Sequence, residues 1–183
     1  MAVNMIHTEK KSVGRVALAA AFGLSLVALS GAGASAAPAQ TQAVYTLVIN
    51  SRSVKCLDVP QNSNSNNQGI EQYLCNGNGN QLWTLESQGN GFFRVINENS
   101  RKCLDVRGRS ANNNAVVVQN GCNAEFSQQW ARQPDSDGVG TRLAARHSGK
   151  CLTVANSSLA NKAGIVQFDC GATGTQSQSW QFG

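Results

Sequence analysis

Cys56-Leu57-Asp58-Val59, followed by Cys75 and by Gln81-Leu82-Trp83, sets a pattern that the chain repeats twice more. The second copy reads Cys103-Leu104-Asp105-Val106, Cys122 and Gln128-Gln129-Trp130, and the third reads Cys151-Leu152-Thr153-Val154, Cys170 and Gln178-Ser179-Trp180. In each copy the second cysteine follows the first by 19 positions, and successive copies start 47 and 48 positions apart. All six cysteines and all three tryptophans of the 183-residue chain fall in register. Self-similarity at such a period marks an architecture whose units cannot bury their apolar faces alone.

The local pattern around these motifs is strand and turn. Tyr45–Ile49 and Phe92–Ile96 are short β-type runs at matching places before the first cysteine, and Thr141–Ala145 is a weaker third version. Asn76-Gly77, Asn78-Gly79, Asn90-Gly91 and Asn120-Gly121 are pairs that tolerate positive φ, and they predict tight hairpin turns. Gln61–Asn67, Ser110–Asn114 and Ala155–Leu159 read as exposed loops. Copies of this length hold about four short strands each and too few apolar side chains for a separate core, so the three are expected to share one. Only Gln181-Phe182-Gly183 follow the third Gln-x-Trp, which favours a closed threefold barrel, without edges to cap, over an open solenoid. The expected fold class is therefore all-β with three internal repeats.

Lys10, Lys11 and Arg15 precede an apolar run, Val16–Leu29, and the small residues Ala34-Ser35-Ala36. This order predicts a secretory signal over 1–36, and the apolar run is short for a bilayer span of about 20 residues. Removing it takes three basic residues and one acidic residue from a formal charge of +5, which leaves a mild positive excess. The remaining Lys and Arg are scattered, whereas a nucleic-acid binder clusters them. The reading is of an extracellular protein with no nucleic-acid partner and no membrane anchor.

Secretion gives the cysteines a disulfide meaning. Six allow 15 pairings, and the repeat selects Cys56–Cys75, Cys103–Cys122 and Cys151–Cys170. Zinc ligation needs close C-x-x-C pairs or accompanying histidines, and His147 alone remains after signal removal. Neither a metal nor another cofactor is expected.

Taken together, the Cys-Leu-Asp-Val motif, the Gln-aromatic pairs Gln72-Tyr73 and Gln167-Phe168 before the second cysteine, and the triple Gln-x-Trp make the chain resemble a ricin B-type lectin domain. That family has the β-trefoil fold and includes the ricin-type carbohydrate-binding modules of secreted bacterial proteins. The resemblance covers 44–183, with repeats at about 44–90, 91–138 and 139–183 and a short lead over 37–43. It implies that Trp83, Trp130 and Trp180 belong to a shared core, a role that suits three symmetric large side chains of 150–250 Å² each. It also implies glycan or polysaccharide binding, with galactose- and xylose-type sugars both possible.

Sugar recognition needs a carboxylate or amide for adjacent hydroxyls and an aromatic face for the apolar side of the ring. By resemblance these roles fall on the Asp of Cys-Leu-Asp-Val, the aromatic two residues before the second cysteine and the Asn before Gln-x-Trp. The first copy has Asp58, Tyr73, Asn80 and Gln81, with Glu71 where many relatives have Gln. The second keeps Asp105 and Gln128 but has Asn120 at the aromatic position and Ser127 in place of Asn80. The third offers Phe168, yet Thr153 replaces the Asp and Ser177 the Asn. The first copy is thus the expected site, the second is expected to be partial and the third weak.

No catalytic residues are assigned. A glycosidase needs two carboxylates about 5–9.5 Å apart in one cleft, and Asp58 and Asp105 belong to different repeats. The nucleophile patterns of acyl-transfer enzymes are missing as well. The alternative function is a β-trefoil protein-interaction module or protease inhibitor, since a fold hosts several functions.

Overall fold

The computed structural model describes residues 43–135, 138, 140–171 and 175–183, and among these it has thirteen strands and no α-helix. The signal expected over 1–36 and most of the lead segment lie outside the described residues. The first lobe contributes β1 (Thr46–Asn50), β2 (Cys56–Asp58), β3 (Gln68–Gly69), β4 (Glu71–Tyr73) and β5 (Leu82–Ser87). The second has β6 (Phe92–Asn97), β7 (Cys103–Val106), β8 (Ala115–Asn120) and β9 (Trp130–Pro134). The third has β10 (Thr141–Ala145), β11 (Cys151–Val154), β12 (Ala163–Phe168) and β13 (Trp180–Phe182). Ile70 separates β3 from β4, so the first lobe has two short strands where β8 and β12 run unbroken.

Antiparallel pairing closes a ring in the order β1, β5, β6, β9, β10, β13 and back to β1, with two strands from each lobe. The hairpins β2–β4, β7–β8 and β11–β12 cap one end, and β12–β4, β12–β8 and β3–β8 join them in a triangle. Three lobes closed on themselves form a β-trefoil. Closure removes the free edges that an open sheet would expose.

The core repeats with the sequence. Trp83, Trp130 and Trp180 are wholly buried, with Leu57, Leu104 and Leu152 around them and Val48, Val95 and Leu143 from the first strand of each lobe. Each indole must also satisfy its N–H. Nε1 of Trp83, Trp130 and Trp180 donates to the carbonyls of Leu57, Leu104 and Leu152 at 3.0, 3.1 and 3.0 Å. Burial and orientation of the three rings are thus set by the first motif of the same lobe. The disulfides Cys56–Cys75, Cys103–Cys122 and Cys151–Cys170 tie each lobe internally, in the pairing the repeat selects.

A second set of symmetric residues ties the lobes to one another. Gln72, Gln119 and Gln167 have no exposed surface. Gln72 Nε2 donates to the carbonyls of Ser158 and Ala160, Gln119 Nε2 to those of Ser63 and Ser65, and Gln167 Nε2 to those of Ser110 and Asn112. Each glutamine therefore satisfies loop carbonyls of a different lobe, and the three pairs of bonds link first lobe to third, second to first and third to second. Buried amides without such partners would cost about 1–3 kcal/mol each.

Of the four Asn-Gly pairs expected to make hairpin turns, Asn90-Gly91 does so, joining β5 to β6 with φ of 51° and 77°. The other three do not. Asn120 is the last residue of β8, Gly79 opens the turn before β5, and Asn76 and Asn78 lie in the loop after the disulfide, where the Asn76 N–H is held by the Gln81 side chain. A side chain from the core thus overrides the local turn preference.

Candidate functional site

In the first lobe β2 and β4 pair with Cys56 opposite Tyr73 and Asp58 opposite Glu71. Side chains two apart on a strand share a face, so Asp58, Glu71 and Tyr73 project to the same side. They line a cleft of about 350 Å³ together with Asn80, Asn62 and Lys162. Asn62 arrives on the loop after β2, where Gln61 and Asn62 both have positive φ (56° and 54°). Lys162 belongs to the third lobe and is carried in because Ala163 pairs with Gln72 and the Lys162 N–H donates to the Gln72 carbonyl at 2.8 Å.

Asp58 is 4% exposed. Its Oδ2 accepts from Asn80 Nδ2 at 3.0 Å and from Gln81 Nε2 at 2.7 Å. No described donor of the protein reaches Oδ1. Burial pushes the Asp58 carboxyl above its ordinary 3.8, against the opposing pull of the Gln81 and Asn80 hydrogen bonds. Glu71 also rises above its ordinary 4.5, first through burial and then through the negative charge of Asp58, while the Lys162 ammonium draws it back. The cleft thus combines two carboxylates of raised pKa, one phenol ring and one ammonium.

Gln81, read from sequence as a pocket residue, has no exposed surface. Besides bonding Asp58, its Nε2 donates to the Leu74 carbonyl at 3.0 Å and its Oε1 accepts from the Asn76 N–H at 2.8 Å. It orients the carboxylate from behind and ties down the loop after Cys75. Gln128 does the same in the second lobe, bonding Asp105 Oδ2 at 3.1 Å, the Gly121 carbonyl at 3.1 Å and the Asn123 N–H at 2.9 Å.

The second lobe keeps the carboxylate without the ring. Cys103 pairs with Asn120, so Asn120 stands where Tyr73 stands in the first lobe. Its Nδ2 donates to Asp105 Oδ2 at 2.9 Å, and its Oδ1 accepts from the Asn67 N–H at 2.8 Å. Asp105 Oδ1 is buried without a partner beside a cleft of about 360 Å³ that also contains Ser127.

In the third lobe Phe168 pairs with Cys151 and supplies the ring. Thr153 Oγ1 donates to the Cys151 carbonyl at 2.7 Å and accepts from Gln178 Nε2 at 3.1 Å, which uses its proton on the protein itself. Ser177 bonds Ser157 at 3.3 Å. A cleft of about 330 Å³ is present, but it has no carboxylate.

Sequence reasoning missed Lys162, because nothing in one repeat shows which residue of another will face it, and Asn62, which reads in the sequence only as part of a polar loop. It placed Asp58 and Glu71 in one site, but in weighing catalysis it compared Asp58 only with Asp105 of another repeat, whereas the acid that shares its cleft is Glu71.

A ring face, a directed carboxylate and an amide in one concavity are the groups that a hydroxyl-bearing ligand requires. The family model for the ricin-type beta-trefoil lectin domain matches residues 44–180. The chain belongs to this family, whose activity is carbohydrate binding. Among solved structures it is similar to the designed threefold symmetric protein ThreeFoil, with 33% identity and a TM-score of 0.71 over 75% of this chain and 96% of the other. The exo-beta-1,3-galactanase 1,3Gal43A from Clostridium thermocellum is 29% identical with a TM-score of 0.72, covering 77% of this chain and only 30% of the enzyme. The Rhizoctonia solani agglutinin shares the fold at 21% identity and a TM-score of 0.68, over 80% and 98% of the two chains. Curated proteins give no significant sequence match.

Proposed function

We propose that the chain is a secreted, non-catalytic lectin that binds a glycan or polysaccharide through the first-lobe cleft. The observation that carries this reading is the union of Asp58, Glu71 and Tyr73 in one concavity, with Asp58 held so that Oδ1 is left for a ligand. Carboxylate acceptors make hydrogen bonds to hydroxyls worth about 1.5–3 kcal/mol each, and the Tyr73 ring covers the C–H face of a pyranose. Asn62 adds an amide at the rim, and the buried Asn80 steadies Asp58.

The two carboxylates in one cleft call for a comparison with glycoside hydrolysis. Catalytic acids flank the scissile bond from its two sides. Asp58 and Glu71 are cross-strand neighbours on one face of a hairpin, so both reach a ligand from the same side. They suit hydroxyl recognition, and burial, with the charge of Asp58 added, raises the Glu71 carboxyl above its ordinary value.

The similarity to a galactanase over a small share of that enzyme supports galactan as a first probe, with xylan beside it. The test is a glycan array on the mature, oxidised protein with Asp58→Ala as the control, run beside a protease-inhibition panel. Binding lost in Asp58→Ala is expected. Silence on every glycan, with inhibition of a protease, overturns the reading.

A further inference from the structure

The second lobe has lost its ring at the usual place, yet another ring stands close by. A cleft of about 400 Å³ adjoins the Asp105 cleft and is lined by Phe126, His147, Ala111 and Ala124. The two clefts share Arg109, Glu125 and Ser127 as a common wall. The Phe126 ring has no equivalent in the first lobe, where Gly79 stands at its position.

Phe126 is half exposed and held in place from below. The Arg146 guanidinium lies 3.9 Å from its ring centre and 4.5 Å from that of Phe92, and Arg146 Nη1 donates to Gln129 Oε1 at 2.7 Å. Such a stacked cation fixes a ring as a platform. Polar groups around it lack partners. Ser127 is 2% exposed with an unpaired Oγ, Asp105 Oδ1 is unpaired, and His147 Nδ1 is buried and unpaired while its Nε2 is bonded to the Ser110 carbonyl at 3.0 Å. Buried polar atoms without partners are uncommon in native proteins and call for a ligand or solvent to complete them. The wall between the clefts is electrically balanced, since Arg109 pairs with Glu125 at 3.1 Å.

We propose that these two clefts form one extended subsite for an internal stretch of a neutral oligosaccharide, with one sugar ring on Asp105 and Asn120 and the next stacked on Phe126. The balanced Arg109–Glu125 wall favours hydroxyls over sugar carboxylates, and the shared Ser127 hydroxyl lies where the linkage between the two rings would pass. This deepens the lectin reading and rests on it. The first-lobe cleft has ring and carboxylate together for a single unit, whereas the second requires length.

The experiment is NMR titration of the isotope-labelled mature chain with galactose, β-1,3-galactotriose, xylose, xylotriose and tri-galacturonate. Amide shifts around Asp58 and Tyr73 report the first lobe, and those around Phe126 and His147 report the second. The expected result is that a neutral trisaccharide moves both sets while its monosaccharide moves only the first. Phe126→Ala should weaken trisaccharide binding at the second lobe about three- to tenfold, with Phe126→Tyr restoring it and the first lobe unchanged. Shifts at Asp58 without any at Phe126, equal response to mono- and trisaccharide, a response to tri-galacturonate alone, or no effect of Phe126→Ala overturns the extended subsite and leaves the first-lobe reading intact. A chain that responds to none of the five sugars overturns both.

Discussion

Gln81 Nε2 lies 2.7 Å from Asp58 Oδ2, and the same bond recurs between Gln128 and Asp105 at 3.1 Å and, with a hydroxyl in place of the carboxylate, between Gln178 and Thr153 at 3.1 Å. The glutamine of each Gln-x-Trp thus faces the third residue of the motif that opens its lobe. Core and cleft are joined by one residue: Trp83 fills the interior, and Gln81, two positions earlier, aims the acid.

This coupling separates positioning from contact. Gln81→Leu leaves the Asp58 carboxylate, the Leu74 carbonyl and the Asn76 N–H without their partner, which should cost about 2–3 kcal/mol of stability. Glycan retention should fall in the folded variant although residue 81 touches no ligand. Thermal melts and affinity electrophoresis on the same sample check both. Unchanged retention with a lowered Tm would show that Asp58 does not depend on this bond for its aim.

The lobes should contribute unequally. Asp58→Ala is expected to abolish most retention on galactan or xylan gels, whereas Phe168→Ala has little effect, because Thr153 already commits its hydroxyl to the Cys151 carbonyl. The third lobe can be repaired. Its cleft, ring and poised Gln178 are present, so Thr153→Asp with Ser177→Asn supplies the missing carboxylate and amide donor. A further working site on a polymer should raise apparent affinity by at least about tenfold. Equal losses from Asp58→Ala and Phe168→Ala would contradict the asymmetry.

Much of this arrangement was open to reading from the chain. Six cysteines and three tryptophans in register pointed to a closed threefold barrel, since threefold closure is the way such small units share a core, and the family resemblance made it a trefoil. The register of Cys56 with Tyr73, Cys103 with Asn120 and Cys151 with Phe168 places the three compared positions at equivalent points. What escaped was of two kinds. Lys162 enters the Asp58 cleft through β12–β4 pairing between lobes, and no pattern within a repeat encodes that contact. The Asn-Gly pairs beyond Asn90-Gly91 were misread as hairpins because Gln81 captures the Asn76 N–H and Asn120 serves as a strand residue bonded to Asp105.

Acid should act on binding and stability in opposite directions. Asp58 and Glu71 have folded-state pKa values above their ordinary 3.8 and 4.5. Between the ordinary and the raised values the folded state holds more protons than the unfolded, so these two groups favour folding at low pH and lose that contribution as pH rises. Glu71→Gln is therefore expected to raise the Tm of the ligand-free protein at pH 7 and to lose this advantage near pH 4. Glycan retention runs the other way, weakening as pH falls, with a midpoint above 3.8. Lys162→Ala removes the ammonium that holds Glu71 down and should move that midpoint upward. Retention constant down to pH 3.8 would show that the ionised carboxylates are not the acceptors.

Backbone strain marks one position where the repeats disagree in chemistry but not in shape. The N–H groups of Val54, Arg101 and Gly149 donate to the carbonyls of Asn50, Asn97 and Ala145 in the same tight turn after the first strand of each lobe. All three residues have positive φ, at 54°, 56° and 70°. Glycine adopts this region freely, whereas a β-branched side chain there carries a cost of about 1–2 kcal/mol. Val54 is 71% exposed, so its methyl groups recover little by packing. Val54→Gly relieves the strain but increases the freedom of the unfolded chain by roughly 0.5–1 kcal/mol, which leaves a net gain of about 0.5–1 kcal/mol. Urea unfolding should show a higher midpoint with an unchanged slope. Gly149→Val in the third lobe should shift the midpoint the other way by a comparable amount. If both substitutions moved it in the same direction, the turn would not be under the conformational control that the three equivalent φ angles indicate.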